Sequence, residues 1–147
     1  MSDGGKAYAA GKGYDALTSI QAGEGFWVNA KAAFTLGLPA GTTVSSASFA
    51  TGTGHHALVK GWNLVATGDK PTPLAFHQSV GALPINFTTL WAWDAAKRGW
   101  YFWAPGLAND GNLAAYLTQK SYLDFVTLPT TPVGTLSPTT GFWVNKP

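Results

Sequence analysis

The sequence has no cysteine, a single methionine and a single arginine, and only 11% of its residues are charged. Each shortage excludes something. Without cysteine there are no disulfides and no thiolate metal sites. The lysines are scattered, Arg98 stands alone and the net charge is +2, so the basic stripe that nucleic acid requires is missing. No apolar run approaches the roughly 20 residues of a membrane-spanning helix. The first five residues, Met1 to Gly5, are polar and lack an apolar core, so no secretory leader is read there, and the leader of an exported parent is expected outside this chain.

Acidic residues are equally sparse: Asp3, Asp15, Glu24, Asp69, Asp94, Asp110 and Asp124. Glu24 and Asp94 are the one pair imaginable as glycosidase carboxylates. However, Glu24 precedes a strand-like segment and Asp94 sits in a hairpin turn, where Asp is favoured for local reasons. There is no Gly-x-Ser-x-Gly elbow. The glycines at 4, 5, 11 and 13 lack a preceding strand and a following lysine, so phosphate binding is not supported. His55 and His56 are neighbours, and on extended backbone they project to opposite faces; His77 belongs to another element. No metal, cofactor or catalytic site is expected, and the chain reads as a non-enzyme. The sequon Asn86-Phe87-Thr88 is expected to be incidental.

The residues that are abundant point to a folded binding or structural domain. Apolar residues make up 46% of the chain, which excludes a disordered one, and 147 residues are enough for one domain with a real core. Gly, Thr, Ala and Ser take the surface positions that charge usually fills. That composition suits a secreted or cell-surface β module, so an extracellular or cell-surface location is expected.

The strongest signal is internal. The word Gly-Phe-Trp-Val-Asn occurs at residues 25–29 and again at 141–145. Upstream of it, Tyr8 and Tyr116, Lys12 and Lys120, Tyr14 and Tyr122, Leu17 and Phe125, and Ile20 and Leu128 match at a constant offset of 108. A single domain over 1–147 is therefore read as a half-repeat (1–31), connector strands (32–56) and one full repeat (57–147). It is either a piece of a longer array or a gene recombined out of one. The half-repeat is expected to supply strands that cover an edge of the full one.

Strands are expected at 25–30, 33–38, 42–50, 57–67 with a bulge at Gly61, 88–94, 100–104, 125–128 and 141–145. Short helices are expected at 6–13, at 73–80 behind a Thr72 cap and Pro73, and at 112–120. The fold class that follows is mainly β, a β-rich α+β chain: an antiparallel sandwich or barrel of about seven to nine short strands with two or three short helices.

The 88–104 hairpin carries the candidate site. With a five-residue loop at 95–99, Asp94 stands opposite Trp100, Trp93 opposite Tyr101 and Trp91 opposite Trp103. Trp91, Trp93, Tyr101 and Trp103 then form one plate of rings, with Leu90, Ala92, Phe102 and Ala104 on the other face. An exposed plate suits the C–H faces of a neutral glycan; a covered plate is simply core, and the sequence leaves both open. Trp27 and Trp143 hold equivalent repeat positions and are expected to pack alike.

Two resemblances can be placed on these residues. Gly61-Trp62-Asn63-Leu64-Val65, Leu90-Trp91-Ala92-Trp93-Asp94 and Gly141-Phe142-Trp143-Val144-Asn145 together resemble uncharacterised repeat modules of large bacterial surface or secreted proteins. That resemblance implies location and modularity and implies no activity. Trp91-Ala92-Trp93-Asp94 followed by Trp100-Tyr101 is similar to the central hairpin of a kelch blade, although Phe87, Thr88 and Thr89 stand where paired glycines belong. The unit of about 85 residues is also longer than a kelch repeat of about 50. The expected function is a non-catalytic extracellular module that binds carbohydrate or a neighbouring protein repeat through the aromatic face. The alternative is a purely structural or adhesive repeat; neither nucleic acid nor membrane is an expected partner.

Overall fold

The computed structural model describes residues 3–13, 18–28, 32–33, 35, 37, 41–50, 56–81 and 88–147. Among them are four α-helices: α1 (Asp3–Gly11), α2 (Pro73–Ser79), α3 (Pro105–Asn109) and α4 (Leu113–Lys120). The five strands are β1 (Gly61–Val65), β2 (Thr89–Asp94), β3 (Gly99–Trp103), β4 (Leu123–Asp124) and β5 (Phe142–Lys146). The strands form one open mixed sheet in the order β1-β5-β2-β3-β4, antiparallel except for the β3–β4 pair. Among the described residues the fold is thus α+β, with more residues in helix than in strand, and in place of the expected mainly-β sandwich or barrel they form a single sheet with helices on both sides.

Two of the missing strands are replaced by 3-10 turns held by an aspartate. Residues 46–49 turn as a 3-10 helix because Asp69 draws in the Ser46 backbone N–H and hydroxyl, both donating to Asp69 Oδ2 at 2.9 and 2.7 Å. Residues 125–127 do the same, because Asp124 caps the Val126 N–H. Residues 25–28 carry no ladder, so the two Gly-Phe-Trp-Val-Asn words differ in their pairing: Phe142 to Asn145 of the second lie in β5, between β1 and β2, whereas the first forms no strand over 25–28 and ends outside the described residues at Asn29. The first copy still borders the sheet. Glu24 bridges Val65, Gly25 N–H donates to Leu64 O at 3.1 Å, and Ala66 N–H donates to Gly23 O at 2.9 Å. Of the strand expected at 33–38, residues 34, 36 and 38 fall outside the described residues, and 33, 35 and 37 are in no strand.

The strand expected at 57–67 shortens to β1, which begins at Gly61, where a bulge was expected. Gly61 has φ +94, a conformation that side chains disfavour. The Asn63 side chain then clamps the approach, accepting from Val59 N–H and donating to the carbonyls of Val59 and Gly61. Alternation along each strand sorts the side chains. Val65, Leu90, Ala92, Tyr101, Trp103, Phe142 and Val144 face inward and are buried. Helix α2 packs on this inner face through Phe76 and Val80, with the Phe76 ring edge-on to Phe142 at 5.0 Å. On the outer face α3 and α4 roof one end of the sheet, closing Leu117 and Ala104 over Phe102.

Candidate functional site

The outer face left uncovered by α3 and α4 is a field of indoles. The registers place Trp62 and Leu64 of β1, Trp143 of β5, Trp91 and Trp93 of β2, and Trp100 and Phe102 of β3 on this side. Trp27, reaching over from the first repeat word, sets its ring 6.1 Å from Trp100. Six of the seven tryptophans in the sequence therefore share one face, and Trp103 alone lies inward.

The rings meet edge to face. Trp62 and Trp143 stand 6.5 Å apart at 89°, Trp91 and Trp100 6.2 Å apart at 89°, and Trp93 and Trp100 5.0 Å apart at 59°. Such geometry suits the ring quadrupoles. Four of them, Trp62, Trp91, Trp100 and Trp143, wall a cleft of about 380 Å³. Trp62 is 54% exposed, as is Trp27, whereas Trp91 is anchored underneath by Phe102 at 4.5 Å and Tyr122 at 5.0 Å.

A second cleft, of about 360 Å³, lies where β2 outruns β5. Pairing between these strands ends at Trp91 opposite Trp143, while β2 runs on to Asp94. Trp27, Trp93, Asp94, Tyr101, Thr130 and Thr140 are among its walls. Trp100 stands against both Trp27 and Trp93, so it separates one cleft from the other.

The expected plate is corrected by one residue. Asp94 pairs with Gly99 rather than Trp100, so Trp93 faces Trp100, Trp91 faces Phe102, and Ala92 faces Tyr101. A one-residue slip sends every side chain of a strand to the other face. Trp91 and Trp93 remain together, but Tyr101 and Trp103 turn into the core, at 0% and 7% exposure. The cause is the turn. Asp94 Oδ1 accepts from Ala96 N–H at 3.0 Å and Lys97 N–H at 2.9 Å, and Arg98 adopts φ +51 to close a four-residue loop. Trp62, Trp100 and Trp143, three of the four walls of the first cleft, lay outside the expected plate. The Asp-to-Gly spacing at 94–99, a side-chain-capped turn closed by glycine, was the signal that could have set the register.

Electrostatics are concentrated at the hairpin end. Tyr101 OH donates to Asp94 Oδ2 at 3.1 Å and accepts from Lys97 Nζ at 2.8 Å; the ammonium lies 3.9 Å from that carboxylate oxygen and 5.2 Å from the Tyr101 ring centre. The Lys97 backbone N–H, ahead of the bonds from Tyr101 and Ala96 and the Lys97 charge, holds the Asp94 carboxyl below its ordinary value. The bond to Tyr101 holds the Lys97 ammonium above its own. Burial lowers His77, whose ring packs 5.7 Å from Trp103. His56 Nε2 lies 3.1 Å from Ala22 O, and His55 and Asn86 fall outside the described residues. Among the described residues no three His, Cys, Asp or Glu side chains group as a metal site, and no helix is long and apolar enough to cross a membrane.

Comparison with known proteins finds no matching family model, no similar curated protein and no similar solved structure.

Proposed function

We propose that this chain is a non-catalytic binding module whose ligand, a neutral glycan, stacks on the uncovered tryptophan face of the sheet. The observation that carries the reading is the contiguous set Trp62, Trp143, Trp91, Trp100 and Trp93 on one side of β1, β5, β2 and β3, in which Trp62 and Trp93 are exposed and Trp143, Trp91 and Trp100 are half-buried beside the α3–α4 roof. Soluble domains rarely spend so much large aromatic surface outside the core without a partner for it. Indoles offer flat, apolar faces to the C–H side of a pyranose. The low charge of the chain favours a neutral ligand over a polyanion, and the same composition supports an extracellular or cell-surface setting.

Titration with neutral polysaccharides, read by calorimetry and tryptophan fluorescence, tests this. Binding weakened about tenfold or more by Trp62→Ala and by Trp143→Ala supports it, because losing one stacked ring removes roughly 1–2 kcal/mol. No heat and no spectral change with any polysaccharide would refute it.

A second reading draws on the wholly aromatic walls of the first cleft. In it the chain is a structural or adhesive repeat, and the indoles are covered by a neighbouring unit. Concentration-dependent self-association that Trp62→Ala abolishes would favour this over glycan binding.

A further inference from the structure

The second cleft differs in chemistry from the first. Its walls combine the indoles of Trp27 and Trp93 with a carboxylate, a phenol and threonine hydroxyls. Trp27 and Trp93 are both open to solvent, at 54% and 36% exposure. The Asp94 side chain is 11% exposed and held rigidly by the turn, its Oδ1 taken by two backbone N–H groups. Its Oδ2 accepts only the Tyr101 hydroxyl within hydrogen-bond distance among the described residues, and a carboxylate oxygen has room for a second donor.

We propose that this cleft is a separate subsite that takes one saccharide ring against Trp27 and Trp93, with Asp94 Oδ2 accepting a hydrogen bond from a ligand hydroxyl. The proposal rests on the glycan reading of the outer face and deepens it, because it names the polar contact that the all-indole first cleft lacks. The charge arrangement selects the ligand class. Lys97 sits 3.9 Å from Oδ2 and shares Tyr101 with it, so the carboxylate charge is already offset and an organic cation meets no unpaired anion. No lysine or arginine lines the cleft among the described residues, so an acidic sugar meets no counter-charge. A neutral hydroxyl gains a charge-assisted hydrogen bond, stronger than one between neutral groups. Trp100, a wall of the first cleft, stands against Trp27 and Trp93 of the second, so an oligosaccharide long enough to pass it would present one ring to each.

The test is calorimetric titration with cellohexaose, maltohexaose and mannohexaose, and with hexagalacturonate as the acidic comparison. Trp27→Ala, Asp94→Asn and Trp62→Ala are compared with the parent, each checked for folding by circular dichroism and thermal melting. Trp27 lies outside every ladder, so its variant reports on the cleft even where Asp94→Asn disturbs the turn. The expected result is a loss of about tenfold in affinity for a neutral hexaose with Trp27→Ala and again with Asp94→Asn. If Trp62→Ala weakens binding while Trp27→Ala leaves it unchanged, the subsite is overturned and the outer-face reading stands. If Trp27→Ala weakens binding and Trp62→Ala does not, the end cleft is the site and the outer-face reading falls. Preference for hexagalacturonate, or no binding of any neutral hexaose, overturns the subsite.

Discussion

Tyr101 carries a hydroxyl into a fully buried position, and two charged side chains meet it there. Removing the hydroxyl leaves packing nearly intact but strips Lys97 and Asp94 of their common partner. Tyr101→Phe is expected to lower stability by about 1–2 kcal/mol, measured by urea unfolding at neutral pH. The same group of residues sets an acid response. The Asp94 carboxyl titrates lower in the folded chain than in the unfolded one, where its value is about 3.9. Its contribution is therefore complete above that unfolded value and disappears as pH falls through the lower folded one. Asp94→Asn is expected to flatten the stability loss in that acid window, read from urea midpoints taken downward from about pH 5. Lys97 runs the other way: its folded value is raised, so its contribution holds below the unfolded value of about 10.4 and fades as pH rises through the folded one.

At the scale of elements, α2 joins cap to core over seven residues. Thr72 Oγ1 accepts from Ala75 N–H at 3.2 Å, Pro73 opens the helix, and Gly81 ends it at φ +88. Thr72→Ala is expected to cost about 1 kcal/mol. Phe76→Ala, which empties the space between α2, Phe49 and Phe142, is expected to cost about 4 kcal/mol. Both are read as shifts of the denaturation midpoint at unchanged slope. This helix was legible because every signal lies within ten residues of chain, whereas Gly61 was legible only as a bulge inside a longer strand and not as the onset of β1. Residues 42–50 were not. Their β-rich composition yields to Asp69, 23 residues away from Ser46, and no local pattern announces that bond. The hairpin was legible as a hairpin but not in register. Alternation normally fixes register by making one face polar, and here Trp91 and Trp93 on one side and Leu90 and Ala92 on the other are all apolar. Only the turn distinguishes the two alignments. The candidate site inherited that ambiguity: Trp91 and Trp93 survive it because they share a strand, while their expected partners on β3 exchange faces.

For the whole molecule the governing fact is that the last strand in sequence is inserted between β1 and β2. β5 pairs with β1 along five residues and with β2 along three, and it sends Phe142 and Val144, both 0% exposed, into the core. The sheet cannot close its ladder until the C-terminal residues arrive, so removing residues 142–147 is expected to abolish cooperative thermal unfolding. The N-terminal segment is graded instead. Of α1 beyond residue 5, Tyr8 is 68% exposed and Ala9 only partly covered, so deleting residues 1–13 is expected to leave the melting temperature nearly unchanged. Deleting residues 1–28 additionally removes the Gly25–Leu64 and Ala66–Gly23 hydrogen bonds and takes Trp27 off Trp100. At about 1 kcal/mol for each bond, that truncation is expected to lower the melting temperature by roughly 5–10 °C, measured by circular dichroism. Equal melting of the two truncations would mean that residues 23–25 border β1 without stabilising it.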